Sequence, residues 1–304
     1  MNKTCILIAG PTAIGKTDLA IQIAAHFSTQ IISADSRQCY KELNIAVAKP
    51  DPSFLNKIHH YFVDSHSILE SVTAAEFEKY ALSSIASIFE KSDIAVMVGG
   101  TGLYIKAFCE GLDAIPATPP ETREMIIENY NQYGIEWLEK MLIQNDSEYA
   151  TKGEMQNPQR MMRALEVVLS TGKSIFYFQK NNKIQRDFNI IKIGLELPRE
   201  ELCNRINTRV DQMIDAGLVK EAESLIKYKS LNALQTVGYR ELFDFFEGKS
   251  SLNDAIELIK QNTRHYAKRQ MTWFKKDSTI NWFSPQSKMI LSFIENRIVE
   301  NKVA

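Results

Sequence analysis

Four cysteines in 304 residues, Cys5, Cys39, Cys109 and Cys203, lie far apart and form no C-x-x-C pair. They read as reduced thiols of a cytoplasmic protein, with no disulfide framework. Long apolar runs are missing as well. None approaches the roughly eighteen residues of a membrane span, so no membrane is expected. Excess charge of either sign is also absent, since 36 Lys and Arg against 37 Asp and Glu give 36 − 37 = −1. A chain-wide pull toward a polyanion is therefore excluded, and any nucleic-acid surface has to come from local clustering. Met1-Asn2-Lys3 runs straight into an apolar strand pattern, which leaves no room for a signal peptide. No internal repeat or low-complexity linker interrupts the chain. What remains is an ordinary globular composition, 44% hydrophobic and 24% charged, long enough for one large core and a smaller lobe.

The most informative stretch comes first. The strand-like run at 4–9 leads into Gly10-Pro11-Thr12-Ala13-Ile14-Gly15-Lys16-Thr17, and helix-forming residues follow. This is G-x-x-x-x-G-K-[ST] in the strand–loop–helix context a phosphate-binding loop needs. Gly10 and Gly15 let the backbone N–H groups of the loop (Thr12, Ala13, Ile14) curl around an anion, and the helix N-terminus adds partial positive charge. Lys16 would place a point charge on the terminal phosphates, and the Thr17 hydroxyl would hold Mg²⁺. The loop alone does not separate a nucleotide such as ATP from another phosphate ester.

Further β-branched runs at 30–34, 94–98 and 188–195, with helices at about 17–27 and 74–90, predict an α/β fold with a doubly wound parallel sheet. Ligands of such sheets gather beyond the carboxyl ends of the strands. There the sequence places the loop at 10–17, the turn Asp35-Ser36-Arg37-Gln38, and Gly99-Gly100-Thr101-Gly102. From about 113 the pattern turns helical. Thr118-Pro119-Pro120-Glu121 reads as a capping-box start, and Asn157-Pro158 opens a helix that Gly172 closes. The expected organisation is a core of 1–112 and 188–304 carrying an all-helical insertion at 113–187. Beyond the last strand only helices are expected, at about 199–215, 218–229 and 252–276.

Several residues admit more than one role. Asp35, directly after the second strand, could be a helix N-cap, hold Mg²⁺ or act as a general base. Gln159, Arg160 and Arg163 sit on a helix whose other face is apolar, and could be a solvated face or a binding grip. Arg205 and Arg209, four apart, could clamp a pyrophosphate. Arg264, Lys268 and Arg269 lie in the one dense basic stretch, interleaved with Tyr266, Trp273 and Phe274. That is the pattern of a nucleic-acid backbone surface or of core aromatics. His59 and His60 are adjacent on a strand, point to opposite faces, and read as structural.

Taken together these segments resemble the bacterial tRNA dimethylallyltransferases along nearly the whole chain. The matching blocks are the loop at 10–17, Asp35-Ser36-x-Gln38-x-Tyr40, Ala48-Lys49-Pro50, His59-His60 and Gly99-Gly100-Thr101-Gly102-Leu103-Tyr104. They continue with Gln159-Arg160-x-x-Arg163-Ala164-Leu165-Glu166, Arg209-Val210-x-x-Met213, Gly238-Tyr239-Arg240-Glu241 and Tyr266-Ala267-Lys268-Arg269-Gln270-x-Thr272-Trp273. The resemblance implies a P-loop kinase-like core and transfer of a dimethylallyl group from dimethylallyl diphosphate, with Mg²⁺. The acceptor would be N6 of the adenosine 3′ of the anticodon, presented on a tRNA anticodon stem-loop to a monomer. Asp35 would be the base, Thr101 would contact the diphosphate side or the tRNA, and Lys16, Thr17 with Mg²⁺, and Arg209 would stabilise the leaving diphosphate. Ser36, Arg37 and Gln38 would hold the flipped base, and Arg123, Gln159, Arg160 and Arg163 would grip the stem-loop. The chain departs from the family pattern at Ala46-Val47, where Gly-Thr is usual, at Arg37 and at Pro198. Other readings stay open: a prenyltransferase of free adenine nucleotides, a small-molecule kinase, or an RNA-binding nucleotide sensor.

Overall fold

The computed structural model describes residues 3–180 and 182–303. In chain order the elements are β1 Thr4–Ala9, α1 Lys16–His26, β2 Ile31–Ala34, α2 Pro52–Leu55, β3 His60–Tyr61, α3 Ala74–Phe89, β4 Ile94–Gly99 and α4 Gly102–Glu110. Next come α5 Pro120–Asn145, α6 Ser147–Lys152, α7 Pro158–Thr171 and α8 Ile175–Phe178. The chain ends with β5 Asn189–Leu195, α9 Arg199–Asp215, α10 Leu218–Leu225, α11 Tyr239–Phe246, α12 Leu252–Phe274, β6 Asn281–Phe283 and α13 Met289–Val303. It divides into two compact units, Met1–Cys109 with Gln185–Ala304, and Glu110–Ile184. The sequence pattern placed the insertion three residues later at each end. The closing contact is the Ile184 N–H donating to the Glu110 carbonyl at 2.8 Å, inside the second unit.

The first unit is built on a six-stranded sheet in the order β3-β2-β4-β1-β5-β6, with every pairing parallel. The strands are apolar on both faces because both faces are covered. Cys5, Leu7 and Ala9 of β1 point into one core, shared with Phe77 of α3 and Phe108 of α4. Ile6 and Ile8 point into the other, shared with Ile23 of α1 and Ile294 of α13. This is the doubly wound α/β sheet expected from the β-branched runs.

Two strands are short. β3 is only His60–Tyr61, so of the histidine pair read as lying on a strand only His60 does, and β6, which the sequence reading missed, is Asn281–Phe283 in a stretch expected to be wholly helical. Neither is long enough to show a period. β6 exists because it pairs with Ile193–Leu195 of β5, where a side chain at Gly194 would lie 2.7 Å from Trp282. His60, 8% exposed, sits in β3 with Nδ1 against the Ile58 carbonyl at 2.7 Å.

The second unit has its own core, including Ile126, Leu138, Leu142, Tyr149, Met161, Leu165 and Ile175. The capping box expected at Thr118 does not form. α5 starts at Pro120, so its N-cap is Pro119, which carries no side-chain cap. Thr118 falls one residue outside, and its Oγ1 accepts from Arg163 Nη1 at 3.4 Å instead. α7 begins and ends as its sequence implied: Asn157 Oδ1 accepts from the Arg160 N–H at 3.3 Å, and Gly172 closes it at φ 68.

Candidate functional site

β1 ends at Ala9, and the chain turns sharply at Gly10, where φ is +150 and a Cβ would lie 2.9 Å from the Leu195 carbonyl oxygen. The loop rejoins regular structure at Gly15, the αL N-cap of α1, and no side chain caps that helix. The first-turn N–H groups of α1 therefore point out of the loop without a protein cap, as an anion site requires. Lys16 folds back so that its Nζ donates to the Pro11 carbonyl at 2.6 Å. Burial lowers its pKa to about 7, Arg209 pushes the same way, and Asp35 opposes. Burial also lowers the pKa of Arg209, against the pull of Asp35 and Asp18. Two basic groups are thus held desolvated beside one loop, and the pull of Asp35 and Asp18 only partly offsets that cost.

The loop forms one wall of a cavity of about 750 Å³. Thr12 through Asp18 line it, with Asp35, Gly99, Gly100, Val47, Arg205, Arg209 and Gln270 opposite. β2 and β4 deliver their end residues side by side because Gly99 leaves space for Ala34, whose carbonyl oxygen would lie 2.2 Å from a Cβ there. Asp35 follows, and its Oδ1 accepts from the N–H groups of Arg37 at 2.9 Å and Gln38 at 3.3 Å. No helix starts here, so the helix N-cap is not realised; Asp35 caps a turn instead, and with one carboxylate oxygen only, since Oδ2 has no hydrogen bond among the described residues. A second cavity of about 340 Å³ is lined by Ser36, Arg37, Met213, Arg240 and Arg269. Thr12, Asp35, Val47, Arg209 and Tyr266 line both cavities, so the two meet at Asp35.

The turn partners of Asp35 are held in different ways. Thr101 lines neither cavity; its Oγ1 accepts the Ser36 N–H at 3.0 Å and so ties the two turns together. Gln38 is committed internally, accepting from Ser33 Oγ at 3.2 Å and donating to the carbonyls of Val47 and Ala48 at 3.2 and 3.1 Å. Arg205, expected to project with Arg209, lines the first cavity while donating to Glu201 at 2.9 Å. The basic stretch divides between two faces that Lys268 joins. Arg264 donates to Asn207 at 2.6 Å on the face toward α9, whereas Arg269 lies 5.7 Å from the Tyr266 ring centroid and lines the second cavity. Lys268 is exposed between them. Tyr266 is pushed up to about 12, chiefly by burial and then by Asp35, while hydrogen bonding to Gln270 works against the shift.

Comparison with known proteins decides what this cleft belongs to. The family model described as IPP transferase matches residues 38–277. A tRNA dimethylallyltransferase of Christiangramia forsetii is 49% identical over 98% of this chain and 99% of its own length. The chain belongs to the IPP transferase family. A second such relative, from Bacteroides fragilis, is 43% identical over 97% of this chain and 99% of its own. Among solved structures, a full-length tRNA isopentenylpyrophosphate transferase of Bacillus halodurans superposes with a TM-score of 0.71 at 32% identity, covering 98% of this chain and 96% of that one. A eukaryotic dimethylallyltransferase acting on tRNA gives a TM-score of 0.76 at 26% identity, covering 98% and 80%.

Within this family member, the residues of the helical unit are organised by one buried carboxylate. Glu166, 3% exposed, pairs with Arg163 at 3.1 Å and Arg123 at 3.7 Å. Arg160 pairs with Glu154, and Gln159 is exposed. Glu166 received no role from sequence, and neither did two other residues. Glu221 accepts from the N–H groups of Asn44, Ile45 and Ala46 at 3.2, 2.8 and 3.1 Å and from the Tyr239 hydroxyl at 2.7 Å. It thereby fixes the turn that carries the Ala46-Val47 departure. Gln270, 6% exposed, accepts from the Thr12 N–H and donates to the Gly100 carbonyl, both at 2.9 Å. Pro198, the other departure, is the N-cap of α9 and makes no side-chain cap. Glu166 and Gln270 stand inside family motifs, which was the available signal; Glu221 had none. Among the described residues no helix is long and apolar enough to cross a membrane.

Proposed function

We propose that this cleft moves a dimethylallyl group from dimethylallyl diphosphate to N6 of the adenosine 3′ of a tRNA anticodon, releasing diphosphate. The observation that carries the reading is the meeting of the two cavities at Asp35: one runs to the phosphate loop, the other opens between Arg37, Arg240 and Arg269. A donor diphosphate in the first and a flipped base in the second would bring electrophile and acceptor together beside one carboxylate. The N6 lone pair attacks C1 of the donor. The C1–oxygen bond breaks, diphosphate leaves with the electron pair, and Asp35 Oδ2 takes the N6 proton.

Lys16 and Arg209 face the charge that grows on the leaving group, in a partly dry cleft where such charges act strongly. Among the described residues no group of three His, Cys, Asp or Glu could hold a metal ion. The Thr17 hydroxyl, at the start of α1, would hold Mg²⁺, which would offset leaving-group charge. Ser36 and Arg37 would bear on the base, while Gln38, spent on carbonyls, would shape the slot and Thr101 would hold the turn. Arg123, Gln159, Arg160 and Arg163 would meet the anticodon stem-loop, as would Arg269 and Lys268, with Arg264 behind them. The enzyme would act as a cytoplasmic monomer.

The test is a single assay with dimethylallyl diphosphate and unmodified tRNA, then AMP, then ATP alone. Prenylated tRNA with no prenylated AMP and no ATP hydrolysis is the expected result. Prenylated AMP would move the acceptor to free nucleotides, and phosphoryl transfer from ATP would overturn the reading.

A further inference from the structure

The phosphate loop and the Gly99–Gly102 turn come from strands adjacent in the sheet, yet a side chain from a third element joins them. Gln270 lies near the C-terminal end of α12 and is 6% exposed. Its Oε1 accepts the Thr12 N–H and its Nε2 donates to the Gly100 carbonyl, each at 2.9 Å. One partner is a donor and the other an acceptor, so only a group with both functions fits. The fit is also steric: a Cβ on Gly100 would lie 2.2 Å from Gln270 Nε2, and one on Gly102 would lie 2.3 Å from Trp273. α12 therefore seats two side chains on a turn made of glycine at both points.

The connection continues beyond Gly100. The Thr101 N–H donates to the Ala34 carbonyl at 3.2 Å, and Thr101 Oγ1 accepts the Ser36 N–H at 3.0 Å. Ser36 opens the turn that Asp35 caps. An unbroken path thus runs from the phosphate loop through Gln270, Gly100 and Thr101 to the Asp35 turn. Thr12 lines the cleft with Lys16 and Thr17, but its N–H, expected to face an anion, is spent on Gln270 instead.

We infer that Gln270 is a positioning residue that holds the diphosphate loop and the Asp35–Thr101 turns in one register. Donor C1 and acceptor N6 then align beside the carboxylate. This role rests on the transfer reaction proposed above. Because the Thr12 N–H that Gln270 holds is not offered to an anion, Gln270 governs alignment of the bound donor and leaves diphosphate affinity largely to Lys16, Thr17 and Arg209.

The experiment compares wild type with Q270A and Q270E, measuring kcat for prenyl transfer, Mg²⁺–diphosphate affinity and thermal unfolding. Q270A is expected to lose about 10- to 100-fold in kcat, the scale of a misalignment near 1 Å, with diphosphate Kd held within about threefold. In Q270E the carboxylate keeps the bond from Thr12 but opposes the Gly100 carbonyl. Once protonated it matches the amide and restores both bonds. The ratio of Q270E to wild-type kcat should therefore climb about tenfold or more from pH 8.5 to pH 6. Lys16, Asp18, Asp35, Lys49, Asp51, Glu201, Arg205, Arg209 and Tyr266 line the same cleft in both proteins, so the ratio removes their share. If Q270A does not fold, the Q270E profile carries the test. A Q270A kcat within about twofold of wild type, a weakening of Kd as large as the fall in kcat, or a flat Q270E ratio each overturns the inference. Failure of wild type itself to prenylate tRNA would instead strike the reaction proposed above.

Discussion

Lys16 makes a prediction that can be worked to a number. Its pKa is lowered to about 7 by burial and by Arg209, so near neutral pH about half of the unliganded molecules carry an uncharged amine there. A bound diphosphate adds negative charge directly beside Lys16 and should return the pKa toward the ordinary lysine value of 10.5. Donor binding then takes up a proton. With those two values, diphosphate affinity should fall about 25-fold between pH 7.5 and pH 9, and uptake at pH 8 should be about 0.9 proton per site. With dimethylallyl diphosphate as the ligand, the terminal phosphate of the ester, with a pKa of ~6, is already ionised and adds no opposing slope in that window. The measurement is titration calorimetry of dimethylallyl diphosphate at saturating Mg²⁺, without tRNA, in two buffers of different ionisation enthalpy. Lys16→Met should bind more weakly, lose the proton uptake and show no fall with pH. Wild-type affinity flat across the window, or the same slope in Lys16→Met, would refute the reasoning. The unfolded chain keeps this proton up to the ordinary value while the folded chain releases it near 7. Between pH 7 and 10.5 the unfolded chain therefore binds more protons than the folded one, so Lys16 makes stability rise with pH across that interval, and Lys16→Met should flatten the rise.

Three further outcomes follow from the same geometry. Asp35→Asn keeps the turn, because an amide oxygen can still accept from Arg37 and Gln38; kcat should fall by about 10²–10⁴-fold with diphosphate binding unchanged, and equal losses in both would place Asp35 on the metal. Lys268→Ala with Arg269→Ala should weaken tRNA binding and lower its salt slope by about one unit for each phosphate no longer neutralised, whereas Arg264→Ala, already tied to Asn207, should change it less; equal effects from both would restore a single basic patch. Glu221→Ala strands three N–H groups and the Tyr239 hydroxyl; chemical denaturation should show a loss of about 2 kcal/mol, and an unchanged midpoint would mean that the turn at 44–46 holds by itself.

Much of this protein was legible in the residues alone. Continuous β-branched runs specify strands buried on both faces, because no other element buries such a run so economically, and β1, β2, β4 and β5 fall where those runs lie. The loop at 10–17 is equally local: its glycines, lysine and threonine act through backbone and side chains contiguous in the chain. Asn157 and Gly172 bound α7 for the same reason. Tertiary structure decided everything that depends on two distant segments meeting. β6 is a strand only because β5 offers an edge beside Gly194. Thr118 lost its capping role to a one-residue shift in where α5 starts, and Arg163 claimed its hydroxyl. The basic stretch looked uniform in sequence, but the turn of α12 sends Arg264 to Asn207 and Arg269 to the cleft. Lys16 acquires its low pKa from burial and from Arg209, 193 positions along the chain (209 − 16). A sequence states which groups are available; desolvation and hydrogen-bond pairing across elements fix what each one does.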